Sequence, residues 1–431
     1  MSSKIAFVCN MNHMMFTLCR YMLDEGFDCH LFVFKDEAKH FLPDADCFDD
    51  SYFAYTTILN HKKEDFFLDD LTNTSSILKR YDFFIGTDLA PAFLYACGIR
   101  LDIFIPHGTD IFKIPFDSEV KRPSVVNRTW WLKSLFFNSK LQLAGINVTP
   151  TIIIDDEYNR FGYKNKLNPS INYISASPPM LYAPQYEKFE ERNFEKLKSA
   201  KTFNELRAKY LLIIFSQSRH FWGNKDWEAK GNGKGNDVLI RGFAKFLHEN
   251  NFPNACLVLY TYGANVENSK ALIKELSIEE NVVWMPVSDR KEIMFGLNIS
   301  DIACGEFYRS WYFCGTVNEA LFLNKPLIHF RDDIGQIRTN GYPVINVRNE
   351  IDISVYLKKF YNDRSVFIDQ ASKGKNWIIQ FSVEPIVKII KDLIQDKLKN
   401  QSSEINNSAE VGKLRKKIKG RLLLNKLFFK G

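Results

Sequence analysis

Apolar residues along this chain come in short unbroken runs separated by amphipathic stretches. Ile5-Ala6-Phe7-Val8-Cys9 and His30-Leu31-Phe32-Val33-Phe34 are two such runs, joined by a helical pattern that ends near Gly26. A continuous apolar run bounded by polar or glycine positions predicts a strand covered on both faces. Strand, helix, strand is the unit that builds parallel sheets. The unit recurs at Asp82–Ile85, a helix over 89–97 and Leu101–Ile105, with further strands expected at Thr149–Ile154 and Ile171–Ile174. From about Ala183 to Tyr210 the chain is charged and strandless, which reads as a connector with one helical piece. Leu211-Leu212-Ile213-Ile214-Phe215 restarts the alternation, with strands near 255–260, 281–285, 301–303 and 326–330. Helical patterns fall near 236–249, 266–276, 289–298 and 315–323.

The pattern predicts an α/β protein made of two doubly wound domains facing a cleft. The expected parts are 1–182, a connector over 183–210, a second domain over 211–380, a helix over 381–398, and a linker with a basic tail over 399–431. The helix carries Val383, Ile386, Ile389, Ile390 and Ile394 on one face, and 399–410 is polar enough for a flexible linker.

Composition adds little: 45% hydrophobic and 25% charged residues are ordinary globular usage. Charge adds more. Of the net +6, residues 411–431 contribute eight basic residues and no acidic one, which leaves the first 410 residues at −2. The body therefore gives no sign of a nucleic-acid partner. The tail interleaves its cations with Leu414, Ile418, Leu422 and Phe429, a pattern that favours an anionic membrane surface. The eight cysteines include no Cys-x-x-Cys pair, which fits reduced thiols in a cytoplasmic protein. No signal-peptide apolar region and no run long enough to span a membrane is present.

Ligands of open α/β sheets bind beyond the carboxyl ends of the strands, and three groups of residues follow strands here. Arg219 precedes the glycine-rich stretch Lys230–Asp237, where glycines permit close approach of an anion and the next helix opens. Arg219 and Lys234 can clamp a diphosphate, or simply be solvated charges on a surface loop. Gly305-Glu306 and Gly315-Thr316-Val317-Asn318-Glu319 come next. Gly315 and Thr316 would lend backbone N–H groups, and Glu319 would either accept from ribose hydroxyls or complement the helix dipole. Last is Pro106-His107-Gly108-Thr109-Asp110, with His107 facing the cleft and Asp110 a turn-forming residue.

These segments resemble family 4 glycosyltransferases of the GT-B fold. Lys234-Gly-Asn-Asp-Val-Leu-Ile-Arg-Gly-Phe is similar to their K-G-x-D-x-L-I-x-A-F, and Asn281-Val-Val-Trp-Met-Pro to N-V-x-F-x-G. Ile299-Ser-Asp-Ile is similar to A-S-D-V. Gly315-Thr-Val-Asn-Glu-Ala-Leu-Phe-Leu-Asn-Lys-Pro-Leu-Ile resembles G-x-x-x-E-A-x-x-x-G-K-P-V-I, and His107-Gly-Thr-Asp resembles H-G-x-D. The resemblance implies two Rossmann-like domains, with a nucleotide-diphospho-sugar held by the second. Arg219 and Lys234 would neutralise the leaving diphosphate, with Gly315 and Thr316 assisting and Glu319 anchoring the ribose. The acceptor, a glycan or lipid-linked glycan of a surface polysaccharide, would enter near Asn10–His13 and His107. Retention of anomeric configuration and no metal or other cofactor are implied. His107, Glu306 and Glu319 are the candidate catalytic residues.

One departure stands out. The family places an acid eight positions before the second Glu, and Trp311 stands there in this sequence. Glu306 lies thirteen positions before Glu319 and takes that role if Tyr308–Phe313 is an insertion. The alternatives are a sugar-nucleotide epimerase of the same fold, or an inactive binding module in a glycan-assembly complex. As a transferase the protein is expected in the cytoplasm, peripherally associated with the inner face of the membrane.

Overall fold

The computed structural model describes residues 3–119, 137–187, 189, 194, 196–224, 233–308, 314–331, 341–398 and 405–428. The chain divides into two units, Met1–Tyr182 with Ser382–Gly431, and Ala183–Phe381.

The first unit is built on a seven-stranded parallel sheet. Its strands are β1 (Lys4–Val8), β2 (Asp28–Phe34), β3 (Thr56–Leu59), β4 (Phe83–Gly86), β5 (Ile103–Phe104), β6 (Thr151–Ile154) and β7 (Asn172–Ser175). They lie in the order β3-β2-β1-β4-β5-β6-β7, with Ile5 opposite both Cys29 and Phe83. The order reverses between β1 and β4. Ile5, Phe7, Val8, Phe84 and Ile103 are all buried, as both faces of a helix-covered sheet require.

The second unit has a six-stranded parallel sheet: β8 (Leu212–Phe215), β9 (Ala255–Tyr260), β10 (Val282–Met285), β11 (Ile302–Cys304), β12 (Leu327–His329) and β13 (Ile345–Asn346). The order is β10-β9-β8-β11-β12-β13, and it reverses between β8 and β11. Helix Asn236–Glu249 packs against helix Glu350–Asn362. Gly242 makes the approach possible, because a Cβ there would lie 2.7 Å from Ile353 Cβ.

Three parts of the expected organisation need correction. The stretch read as a connector belongs to the second unit. Phe203, on helix Ala200–Lys209, is fully buried and fills the space beside Gly296, where a Cβ would lie 2.2 Å from its ring. The N–H groups of Lys198 and Ser199 both donate to Glu292 at 2.9 Å.

The second correction is that helix Glu384–Leu398 returns the chain to the first unit. Ile386, Ile390 and Ile394 are buried, and Lys397 Nζ donates to Asp102 at 2.7 Å.

The third concerns the tail. Residues Ser408–Phe428 form a helix. Its Val411 and Ile418 are buried in the core of the first unit, with Leu414 and Leu422 packed beside them. The face expected to meet lipid is therefore covered by protein. Part of the expected linker is tied down as well: Ile405 N–H donates to Gly98 O at 3.1 Å, and Asn407 Nδ2 to Tyr95 O at 2.6 Å. Residues 399–404 and Phe429 lie outside the described residues. Among the described residues no helix is long and apolar enough to cross a membrane.

Candidate functional site

In the second unit the sheet order reverses at β8 and β11, and the predicted residues lie beyond the carboxyl ends of those two strands. The loop after β8 carries Gln217, Ser218 and Arg219; the one after β11 carries Gly305 and Glu306. Ser218 Oγ donates to Gly305 O at 3.3 Å, tying the two loops together.

Gly235 is the pivot of the approach to helix Asn236–Glu249. It adopts φ +66°, and a Cβ there would lie 2.8 Å from Tyr308 N. Only glycine accommodates both the left-handed backbone and the closeness of the Phe307–Tyr308 segment. The result is that Lys234 O accepts from Phe307 N–H at 2.9 Å and Lys234 Nζ meets Glu306 Oε1 at 2.6 Å. Both side chains are nearly buried, 10% and 6% exposed. Glu306 N–H donates to His329 Nδ1 at 3.0 Å, which requires that nitrogen to be unprotonated. Burial, helped by the nearby charges of Lys234 and Arg331, pushes His329 down to about 3, so the ring stays neutral.

Helix Gly315–Phe322 opens next to this ion pair. Its cap residue, Cys314, feels the charges of both Glu306 and Lys234, although burial is the main reason its thiol is pushed up to about 12. Among the described residues nothing lies within 4 Å of where a Gly315 Cβ would stand. Glu319 lies one turn into the helix. Its Oε2 accepts from Gln217 Nε2 at 2.6 Å, and its Oε1 is 3.2 Å from Arg290 Nε. A carboxylate has about four acceptor positions and can take hydroxyl donors beside such contacts.

The predicted residues thus separate into two sets. Lys234, Glu306, Glu319 and the Gly315–Thr316 helix start gather at one end of the sheet. Arg219 follows β8 as expected, but it is exposed and lies with its guanidinium carbon 5.4 Å from the centre of the Phe221 ring. Lys234 itself is paired with Glu306. Trp311 and Lys230–Asn232 lie outside the described residues. Sequence reasoning missed Gln217, Arg290 and His329. Arg290 opens a helix after Pro286-Val287-Ser288-Asp289, and nothing local marks it as the partner of an acid on another helix.

His107 belongs to the first unit, after β5, where it meets Asp88 and Asp110. Its Nε2 is 3.8 Å from Asp88 Oδ1 and 3.6 Å from Asp110 Oδ2. Asn10, fully buried after β1, accepts from Phe16 N–H at 2.9 Å and donates to Phe41 O at 2.6 Å.

No protein-family model and no curated protein matches the chain. Solved structures do. A glycosyltransferase from Rickettsia africae superposes with a TM-score of 0.58 at 15% identity, covering 93% of this chain and 100% of that one. HepE of Anabaena in complex with UDP and glucose gives 0.56 at 13% identity, over 91% and 100% of the two chains. Sucrose-phosphate synthase of Thermosynechococcus elongatus gives 0.55 at 11%, over 93% and 100%. The chain has the GT-B fold. The likeness extends over nearly the whole chain. In such a fold the Lys234–Glu306–Glu319 group occupies the switch point of the second Rossmann-like unit, the place where open sheets bind ligands.

Proposed function

We propose that this protein is a glycosyltransferase that moves a sugar from a nucleotide-diphospho-sugar to a glycan or lipid-linked acceptor, as in surface polysaccharide synthesis. The observation that carries the reading is the gathering of Lys234, Glu306, the start of helix Gly315–Phe322 and Glu319 at the carboxyl ends of β8 and β11. A cation and the N–H groups of a helix start are the groups that stabilise a departing diphosphate. As the glycosidic C–O bond to the diphosphate breaks, negative charge grows on the leaving oxygen. Lys234 is the buried cation available to meet it, exchanging its contact with Glu306 for one with phosphate. Glu319, oriented by Gln217 and Arg290, is a ribose acceptor. Arg219, exposed and on the adjoining loop, closes on the phosphates from solvent. Retention and metal-independent transfer complete the proposal, together with the acceptor role of the first unit around Asn10–His13 and His107.

HepE, which has been crystallised with UDP and with UDP-glucose, supports a uridine nucleotide as the first donor to try. The test is release of nucleotide diphosphate from a panel of UDP-, GDP- and CMP-sugars, where a CMP-sugar would release CMP. Turnover of one of them, abolished in Lys234→Met and Glu319→Ala, is expected. No turnover of any donor, with or without acceptor glycans, contradicts the reading.

One observation favours a second reading, an inactive binding module: the only carboxylate beside Lys234 among the described contacts already neutralises it. That reading predicts no turnover despite tight association with a glycan-assembly partner.

We also assign the C-terminal helix to an anionic membrane surface at the cytoplasmic face. Lys413, Lys416, Lys417 and Lys419 are exposed while Val411 and Ile418 are buried. Attraction is then electrostatic, at about 1 kcal/mol per cation, without insertion of the covered apolar face. Such docking weakens steeply with salt.

A further inference from the structure

The first unit carries a group of charges at the carboxyl ends of five of its own strands. Cys9 follows β1, Glu37 follows β2, Lys63 follows β3, Asp88 follows β4, and His107 with Asp110 follow β5. Lys63 Nζ donates to Glu37 Oε1 at 2.7 Å and to Asp88 Oδ2 at 2.6 Å. The other oxygen of Asp88 faces His107 Nε2 at 3.8 Å, and Asp110 Oδ2 faces the same nitrogen at 3.6 Å.

The backbone beneath the ring is pinned. Asp110 accepts the N–H groups of Asp88, His107 and Gly108 at 3.1, 3.1 and 2.8 Å. Tyr158 OH donates to His107 O at 3.0 Å. Three buried polar atoms in this group lack a hydrogen-bond partner among the described residues: His107 Nε2, Glu37 Oε2 and Thr87 Oγ1. Buried polar atoms left over in this way call for an explanation.

The geometry decides which form of the imidazole the group favours. A neutral ring with its proton on Nε2, toward the carboxylates, leaves Nδ1 as an acceptor and hence a base. A protonated ring leaves Nδ1–H as a donor. Two carboxylates face Nε2, and one of them is anchored by a lysine.

We propose that Asp88, clamped by Lys63, is a positioning residue that holds His107 as a cationic hydrogen-bond donor for an oxygen of the ligand, a sugar hydroxyl or a phosphate. The inference rests on and deepens the transferase reading. The electrostatics agree. Burial disfavours charge on His107, but Asp110 and Asp88 outweigh it and lift the ring to about 9. Asp88 is held below the usual carboxylate range by His107 and Lys63 despite its burial. Burial pushes Asp110, Glu37 and the Cys9 thiol up, so Cys9 contributes no anion near neutrality.

The test is an NMR titration of the full chain carrying 13C-labelled histidine, with the His107 signal assigned by its loss in His107→Gln. Wild-type His107 is expected to titrate clearly above the ordinary value of about 6.5. Asp88→Asn should lower its midpoint by about one pH unit or more, a tenfold loss of proton affinity, and Asp88→Glu should restore most of it. The other histidine signals report whether each variant is folded. A wild-type midpoint at or below the ordinary value overturns the proposal, as does an unchanged midpoint in folded Asp88→Asn. Should Asp88→Asn fail to fold, the wild-type midpoint and the Asp88→Glu comparison still decide. The readout needs no turnover, so absence of sugar transfer would sink the transferase reading and leave this result standing.

Discussion

The Lys234–Glu306 contact can be taken apart by a double-mutant cycle. Its two side chains are 10% and 6% exposed and 2.6 Å apart. Removing one partner of a buried pair leaves the other charged and unpaired, at a cost of about 3–5 kcal/mol. Lys234→Met strands Glu306, whose Oε2 has no hydrogen-bond partner among the described residues, and Glu306→Gln strands the ammonium. In a unit of this size about 2–4 °C of melting temperature is lost per kcal/mol, so each single variant should melt roughly 6–20 °C lower. The double variant replaces the pair with neutral groups of similar shape and should recover most of the loss. Calorimetry of the four proteins measures the coupling, expected at about 2 kcal/mol or more. Single variants within about 2 °C of wild type, with additive effects, would refute the burial argument and mean that Lys234 is a solvated cation.

Other parts of the molecule make separate predictions. Arg290→Met removes the cation beside Glu319 and should weaken nucleotide binding more than it lowers stability, as read by calorimetric titration beside thermal melting. Ile418→Ala should cost the first unit about 2–4 kcal/mol, because Ile418 is 1% exposed in its core; a denaturant midpoint equal to wild type would show that the C-terminal helix does not pack there. Replacing Lys413, Lys416, Lys417 and Lys419 by Gln should abolish sedimentation with anionic vesicles without changing the melting temperature, and high salt should mimic the change. The pH dependence should differ between units. His107 is raised to about 9, so its contribution, about 3 kcal/mol at most, is complete below pH 6.5 and is lost as pH rises through 9. His329 and His220, lowered by burial to about 3 and about 4, keep their contribution above pH 6.5 and lose it as the solution is acidified toward those values. Limited proteolysis across pH should therefore open the first unit at the alkaline end and the second at the acidic end.

The two parallel sheets were legible because buried parallel strands read as unbroken apolar runs, and Ile5–Val8, Phe32–Phe34 and Leu212–Phe215 are such runs. Of the four edge strands, β7 and β10 were expected, but β3 and β13 were not. Thr56-Thr57-Ile58-Leu59 exposes Thr57 and Ile58 and so mixes polar with apolar positions, and Ile345–Asn346 is too short to register. Helix Glu350–Asn362 escaped notice because its Ile, Val, Tyr and Phe residues favour strands in isolation; packing on Gly242 overrides that preference. The helix periodicity of Leu414, Ile418 and Leu422 was correctly read, but an apolar face at such spacing looks the same whether a membrane or the protein's own core covers it. Site residues placed after strands were found by that rule alone. Their pairing was not, since Lys234 and Glu306 are brought together only by the left-handed turn at Gly235 and the return of β11 beside β8. Nor could spacing show that Lys63, from the far edge of the first sheet, reaches Asp88 at its centre.

The most direct measurement of whether the second unit holds a nucleotide diphosphate is calorimetric titration of UDP, and in parallel GDP, into the wild-type chain and Lys234→Met. One diphosphate binding at a single site per chain, weakened at least about tenfold (1.4 kcal/mol) by the substitution, is the predicted result. No binding of either at millimolar concentration, or the same affinity in folded Lys234→Met, would contradict the account.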